Sequence, residues 1–421
     1  MYHQTTLKNG LRVVVVPKKE SLSVHLLILV GVGTNNETKD INGISHFVEH
    51  MLFKGTQLRP RAINLSSQLD ALGAECNAFT TREYTGYYVS CLPDKFEQVL
   101  DILSDMYLNS VFDSSEIEKE KGVISEEINR SLNNPSHLIQ DLFTFLAYGD
   151  TAYGWNTLGT KKSLKNINRQ SFLDFQKKFC LAGNTVVTVA GAIDQREVVK
   201  KIQNYFSQMR TGVVPSASKI KEGQNSPALL VEYHKGHQTN LVMGFRTFGI
   251  HHRDIYTALV LAGILGGAMS SRLFQKIREE MGAAYSIGAY QTGFSDYGYL
   301  GISGGVKSDK IIDVIKVILA EISILKRDLV GEEELARVKD GAIGSIYLHL
   351  ETPADLASFY GTQVVMEEPV LTPEEYGKKI KAVTAQDVRK LARRIFTKSG
   401  LNLAVLGPHK NKQIFVDILT L

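Results

Sequence analysis

The chain has 421 residues, 43% of them apolar and 22% charged, with a formal net charge of +4. That length exceeds one ordinary core and predicts two domains, while the composition excludes a disordered or collagen-like chain. So small a positive excess argues against a nucleic-acid-binding or polybasic membrane surface.

The opening stretch, MYHQTTLKNGLRVVVVPKKE, reads as a strand. It has no charged segment leading into an apolar one, so neither a signal nor a transit peptide is expected. VHLLILVGVG (24–33), the longest apolar run, is too short to span a bilayer and reads as a buried strand. No membrane association is expected. Cys76, Cys91 and Cys180 are scattered, without a CxxC pair. They suit a reducing compartment, which makes a cytoplasmic location the expectation.

The next element is the most informative. In NGISHFVEHMLFKGT, residues Ile44, Phe47, Val48, Met51 and Leu52 form the apolar stripe of an amphipathic helix. Asp40 or Asn42 is placed to cap its start and Gly55 to end it. His46, Glu49 and His50 stack on a second face of the same helix. Imidazole and carboxylate are good zinc ligands, and a hydrolytic site needs three of them plus an open position for water. His46 and His50 supply two ligands, and Glu49 lies where a general base is wanted. The pattern is HExxH reversed, a zinc-peptidase signature.

Further along, NAFTT within GAECNAFTTREYTGYY (73–88) reads as a strand. SSEIEKEKGVISEEINRSL (114–132) is helical in pattern, with Ile117, Val123, Ile124 and Ile128 apolar. Glu120 and Glu127 are two turns apart and share a face. Glu127 is the best candidate for the third ligand, and Glu120 for an acceptor that orients a ligand histidine. Glu116, Glu118 and Glu126 are expected in solvent. The remaining histidines have no partners at ligand spacing.

TGVVPSASKIKEGQNSP (211–227) has the composition of an exposed connection. It separates an expected catalytic domain, 1–210, from a second domain, 228–421, and the two are related by an internal repeat. EYTGYYVSCLPDKFEQVLDIL (83–103) matches SDYGYLGISGGVKSDKIIDVIKVI (295–318), and INRQSFLDFQKKFCLAGNTVVTVAGAI (167–193) matches VTAQDVRKLARRIFTKSGLNLAVLGP (383–408). The succession of strands and helices predicts an α+β class: two homologous domains, each a largely antiparallel sheet with helices packed on one face. In this alignment His46, Glu49 and His50 fall near Leu259, Ala262 and Gly263, and Glu120 and Glu127 near Val338 and Ser345. The second half keeps the helices and loses the polar face, so packing alone does not demand His, Glu and His. The glycines of LGGAMSS (265–271) lack the Lys-Ser/Thr of a phosphate loop and read as a turn.

With these motifs the chain resembles the M16 (pitrilysin-type) metallopeptidases over essentially its whole length. It is most similar to the short two-domain group that includes mitochondrial processing peptidase subunits and bacterial processing-protease-like proteins. HFVEHMLFKGT resembles that family's zinc helix. The resemblance implies one zinc per chain, held by His46, His50 and Glu127, with Glu49 as general base and Glu120 supporting the site. KIREEMGAAYSIGAY matches a family motif through Arg278 and Tyr285, which are implied to contact substrate near the scissile carbonyl. Two such donors can stabilise an oxyanion as it forms. Asn77, Ala78 and Phe79 match the family's substrate-binding edge strand, at the positions that meet the backbone of an extended peptide. The implied function is a zinc-dependent endopeptidase acting on peptides inside a dimeric clamshell, with a homodimer as the expected assembly. The alternative is a non-catalytic assembly protein of the same fold, although such relatives usually have eroded motifs and here both are whole. YGDTAYGWNTLGT (148–160) departs from the family by lacking its His-Pro, which bears on loop-borne specificity.

Overall fold

The structure is a computed structural model that describes residues 2–215, 220 and 223–419. The chain forms two compact units, each discontinuous in sequence. The first comprises Met1–Asn129, Trp155–Ser218 and Tyr347–Leu371, and the second Arg130–Gly154, Lys219–Ile346 and Thr372–Leu421.

Within the first unit, strands β1 (His3–Thr6), β2 (Arg12–Pro17), β3 (Val24–Val30), β4 (Glu75–Thr80), β5 (Thr85–Cys91) and β6 (Thr185–Gly191) form one sheet in the order β1-β2-β6-β3-β5-β4. The second unit holds β7 (Ala228–Tyr233), β8 (Gln238–Phe248), β9 (Ala284–Gly293), β10 (Tyr297–Lys307) and β11 (Leu401–Gly407), ordered β7-β11-β8-β10-β9. Apart from the added β1, the two orders match strand for strand. Each sheet has one parallel pair at the same place, β2 with β6 and β7 with β11, and is otherwise antiparallel. Both units are therefore α+β with largely antiparallel sheets, and the repeat is visible in the topology.

Strands β3 and β6 are buried along their whole length, which requires cover on both faces. On one face Val24, Leu26, Ile28 and Val30 join Phe47, Met51, Leu100 and Leu103 in the main core. Those last four residues lie on helices Ile44–Met51 and Phe96–Asn109. The opposite face carries Leu29 and Thr188, and there helix Pro353–Val365 is laid down. Gly361 permits that approach: a β-carbon on it would stand 2.6 Å from Thr188 Oγ1 and 3.0 Å from Leu29 Cδ1. Arg12 Nη1 donates to Val364 O at 2.7 Å on the same side. The second unit repeats the device with a helix from the other half of the chain. Ile139, Phe143 and Ala147 of helix Pro135–Tyr148 pack with Val242, Tyr299, Ala404 and Leu406. A β-carbon on Gly244 would lie 2.3 Å from the Phe143 ring.

A helix on the second face of each sheet thus accompanies the helices expected on the first. Each half of the chain supplies the helix that completes the other half's unit. A cut at 211–227, which falls partly outside the described residues, does not by itself describe these units. Among the described residues no helix is long and apolar enough to cross a membrane.

Candidate metal centre

Helix Ile44–Met51 buries Ile44, Phe47, Val48 and Met51 against the core, and this fixes the direction in which its other face points. Its start differs from the expected Asp40 or Asn42 cap. Gly43 is the N-cap, at φ 95°, and carries no side chain to satisfy the first backbone donors. Buried Glu37 does this instead, accepting from Gly43 N at 2.7 Å, Ser45 N at 2.8 Å and Asn42 Nδ2 at 2.8 Å. Burial raises the Glu37 pKa, and these hydrogen bonds pull against the rise. A carboxylate at this end also opposes the positive pole of the helix.

The polar face brings His46 Nε2 and His50 Nε2 to 3.2 Å from each other. Glu127 reaches in from helix Ser114–Leu132, with Oε2 3.4 Å from His46 Nε2 and 3.5 Å from His50 Nε2. Four ligands held about 2.0–2.1 Å from one tetrahedral ion stand about 3.3–3.4 Å apart. The three donor atoms already have that spacing, so His46, His50 and Glu127 fit a zinc ion. They form the one group of potential metal ligands of this kind among the described residues.

The protonation pattern fits as well. Burial, together with the nearby His50, drops the His46 pKa to about 3, so its imidazole is neutral. His50 Nδ1 lies 2.8 Å from Glu120 Oε1. With the proton on that nitrogen, Nε2 keeps the lone pair a metal needs. Glu120 has a 6% exposed side chain and also meets Lys54 Nζ through Oε2 at 2.6 Å. Burial opposes its ionisation, but the hydrogen bonds from Lys54 and His50 outweigh this and lower its pKa. Glu49 lies on the same helix, half-buried, and accepts from Thr80 Oγ1 of β4 at 2.5 Å. Burial raises its pKa, while Thr80 and His50 act in the opposite sense.

The structure therefore gathers His46, Glu49, His50, Glu120 and Glu127 in one place. Asn77, Ala78 and Phe79 lie on β4, which ends the sheet order and hydrogen-bonds β5 on one side. The Ala78 N–H is turned to the Asn77 side chain at 2.8 Å and not to β5. The Phe79 ring lies against Gly86 and near Tyr84 and Tyr88, so its side chain is committed to the sheet. Arg278 and Tyr285 belong to the second unit. Arg278 is exposed on a π-helix, Phe274–Glu280, with its guanidinium over the Phe274 ring, and Tyr285 is 86% exposed on β9. Sequence reasoning missed Glu37, Lys54 and Thr80. Each acts across a fold contact rather than along a helix face, so none leaves a periodic signal.

The family described as "Insulinase (Peptidase family M16)" matches residues 12–161, and "Peptidase M16 inactive domain" matches residues 166–342. An uncharacterized zinc protease of Bacillus subtilis, YmxG, is 33% identical, the match covering 98% of this chain and 99% of that one. An uncharacterized zinc protease of Rickettsia felis is 34% identical, over 97% of this chain and 98% of that one. Among solved structures, a protease from Helicobacter pylori has a TM-score of 0.91 at 22% identity, covering 97% of this chain and 99% of that one. At that identity the likeness speaks for the fold.

Proposed function

Because the chain belongs to peptidase family M16, we propose that it is a zinc-dependent endopeptidase that cuts peptides bound in extended form. The observation that carries this reading is the spacing of His46, His50 and Glu127 with Glu49 beside them. Zinc, when bound, supplies a Lewis acid that polarises the scissile carbonyl and makes water acidic enough to lose a proton near neutrality. His46 and His50 would hold it through Nε2, and Glu127 through a carboxylate oxygen. Glu49 takes the proton from the attacking water and delivers it to the leaving amine. Thr80 holds one of its oxygens, tying the base to the strand on which the peptide would lie. The open edge of β4 binds substrate through main-chain hydrogen bonds, which favours extended peptides and gives loose sequence selectivity.

Arg278 and Tyr285 stabilise the oxyanion, and a second copy of the chain supplies them, in a homodimer that encloses the peptide. The chain holds one zinc. Metal analysis and a fluorogenic peptide assay test the proposal together. Glu49→Gln should keep about one zinc per chain and lose turnover by about a thousandfold or more, while His50→Ala should lose both. Full activity in Glu49→Gln would remove Glu49 as the base. A wild-type protein that binds zinc yet cleaves no unstructured peptide would favour the non-catalytic assembly role instead.

A further inference from the structure

The duplicated halves separate residues kept for stability from residues kept for chemistry. With His50 aligned on Gly263, Glu120 falls on Val338, and the second unit supports that register physically. A β-carbon built on Gly263 meets Val338 Cγ1 at 2.7 Å, where the first unit has His50 meeting Glu120 at 2.8 Å. One turn further along the same register, Lys54 falls on Gly267. Leu259, Ala262, Gly263, Gly267, Val338 and Ser345 all line a single cavity of about 460 Å³ in the second unit. Where the first unit has imidazoles, carboxylates and an ammonium, the second has open space.

The next charged residue behaves differently. Arg59 pairs with buried Asp105 at 2.7 Å, and its counterpart Arg272 keeps buried Glu321 at 3.5 Å and Glu334 at 2.7 Å. In both units the buried acid lies on the long helix after the sheet's last hairpin, Phe96–Asn109 or Ile311–Arg327. A buried pair that holds a turn in place is thus preserved in both halves, whereas the metal face is missing from the second as a block. Lys54 belongs to the missing block.

We propose that Lys54 is a positioning residue of the metal centre, acting through Glu120 on His50. It sits on the turn directly after the ligand helix, and its ammonium bridges back to the helix that carries Glu127. One Glu120 oxygen meets Lys54 at 2.6 Å and the other meets His50 Nδ1 at 2.8 Å. Lys54 therefore fixes the rotation of the carboxylate that aims His50 Nε2 at the metal. Without Lys54 one oxygen of a nearly dry carboxylate loses its partner. Turning that oxygen toward water takes the other away from His50. Losing such a support typically weakens metal binding 10- to 100-fold.

This inference rests on the zinc reading, and the two can fail separately. Zinc affinity is measured on the full chain by competition with a chromophoric chelator, alongside melting of the metal-free proteins. Lys54→Met should bind zinc about 10- to 100-fold more weakly, while the metal-free variant, though its melting point falls with the lost ion pair, stays folded at the assay temperature. Lys54→Arg should retain affinity to within about threefold, since it keeps a cation at the same carboxylate. The double variant Lys54→Met/Glu120→Gln should bind no more weakly than Glu120→Gln alone, because both changes break one chain of contacts. Wild-type affinity in Lys54→Met, or additive losses in the double variant, would overturn the role of Lys54. Should Lys54→Met fail to fold, Lys54→Gln replaces it, and the comparison with Lys54→Arg decides. A wild-type chain without measurable zinc affinity would instead overturn the zinc reading itself.

Discussion

Among single residues, His25 shows how burial becomes a pH dependence. It lies on β3, 4% exposed, with Nδ1 2.9 Å from Ser90 Oγ. Burial drops its pKa from 6.5 to about 4, with Asp355 pulling the other way. The folded state holds it neutral, whereas the unfolded chain protonates it below about pH 6.5. Its contribution is fully present above pH 6.5 and is lost as pH falls to about 4, in total about 3 kcal/mol. Denaturant melts of the wild type and His25→Gln across this range should converge on acidification. Parallel curves would assign the acid lability elsewhere. The residues of the metal centre were legible because His46, Glu49 and His50 repeat with the helix, and Glu120 and Glu127 stand two turns apart, whereas Arg278 and Tyr285 were readable only through the family resemblance. Glu37 was not legible, because its part in starting the ligand helix depends on a turn that folds back over Gly43. Asn42, expected as a cap, instead donates to Glu37.

For whole elements, β4 is the informative case, since its two edges have different duties. One edge is spent on β5, and the register puts Phe79 opposite Gly86. A β-carbon on Gly86 would lie 2.4 Å from the Phe79 ring. Gly86→Ala should therefore cost about 1–3 kcal/mol of stability, and pairing it with Phe79→Leu should recover part of the loss. The Ala78 N–H points away from the ladder. Ala78→Pro should lower kcat/KM for peptides about tenfold or more while shifting stability by less than about 2 kcal/mol. Equal losses in both would mean that this N–H serves the fold. The strand itself was readable from alternation. Its place at the sheet's edge, where the structure puts it, was implied only by the family resemblance, because strand order depends on long-range pairing.

At the scale of the molecule, the proposed dimer makes a strong prediction. Homodimers of Glu49→Gln should be inactive and those of Arg278→Ala severely impaired. Random co-assembly makes about half of the dimers mixed, each with one complete site, so activity should return to about a quarter of wild type. Co-expressed, differently tagged chains test this: the whole mixture should show about a quarter of wild-type activity, and the mixed dimers isolated through both tags about half. Inactive mixed dimers would place the arginine's action within its own chain, and full activity in Arg278→Ala homodimers would remove it from the reaction. Duplication was legible because strand–helix successions recur in order. The exchange of helices Pro135–Tyr148 and Pro353–Val365 was not. An amphipathic helix shows which of its faces is apolar, but not whose sheet will receive it.

That exchange also changes what covalent continuity is worth. A chain nicked within 211–227 should not come apart under native conditions, because each fragment has a helix embedded in the unit that the other fragment dominates. Expressed alone, either half would leave one face of its own sheet bare and its donated helix without a seat, so it should aggregate. Expressed together as two polypeptides, the halves should find each other and recover both metal binding and cleavage. In its interlocking the protein is a two-part assembly that happens to be written as one gene.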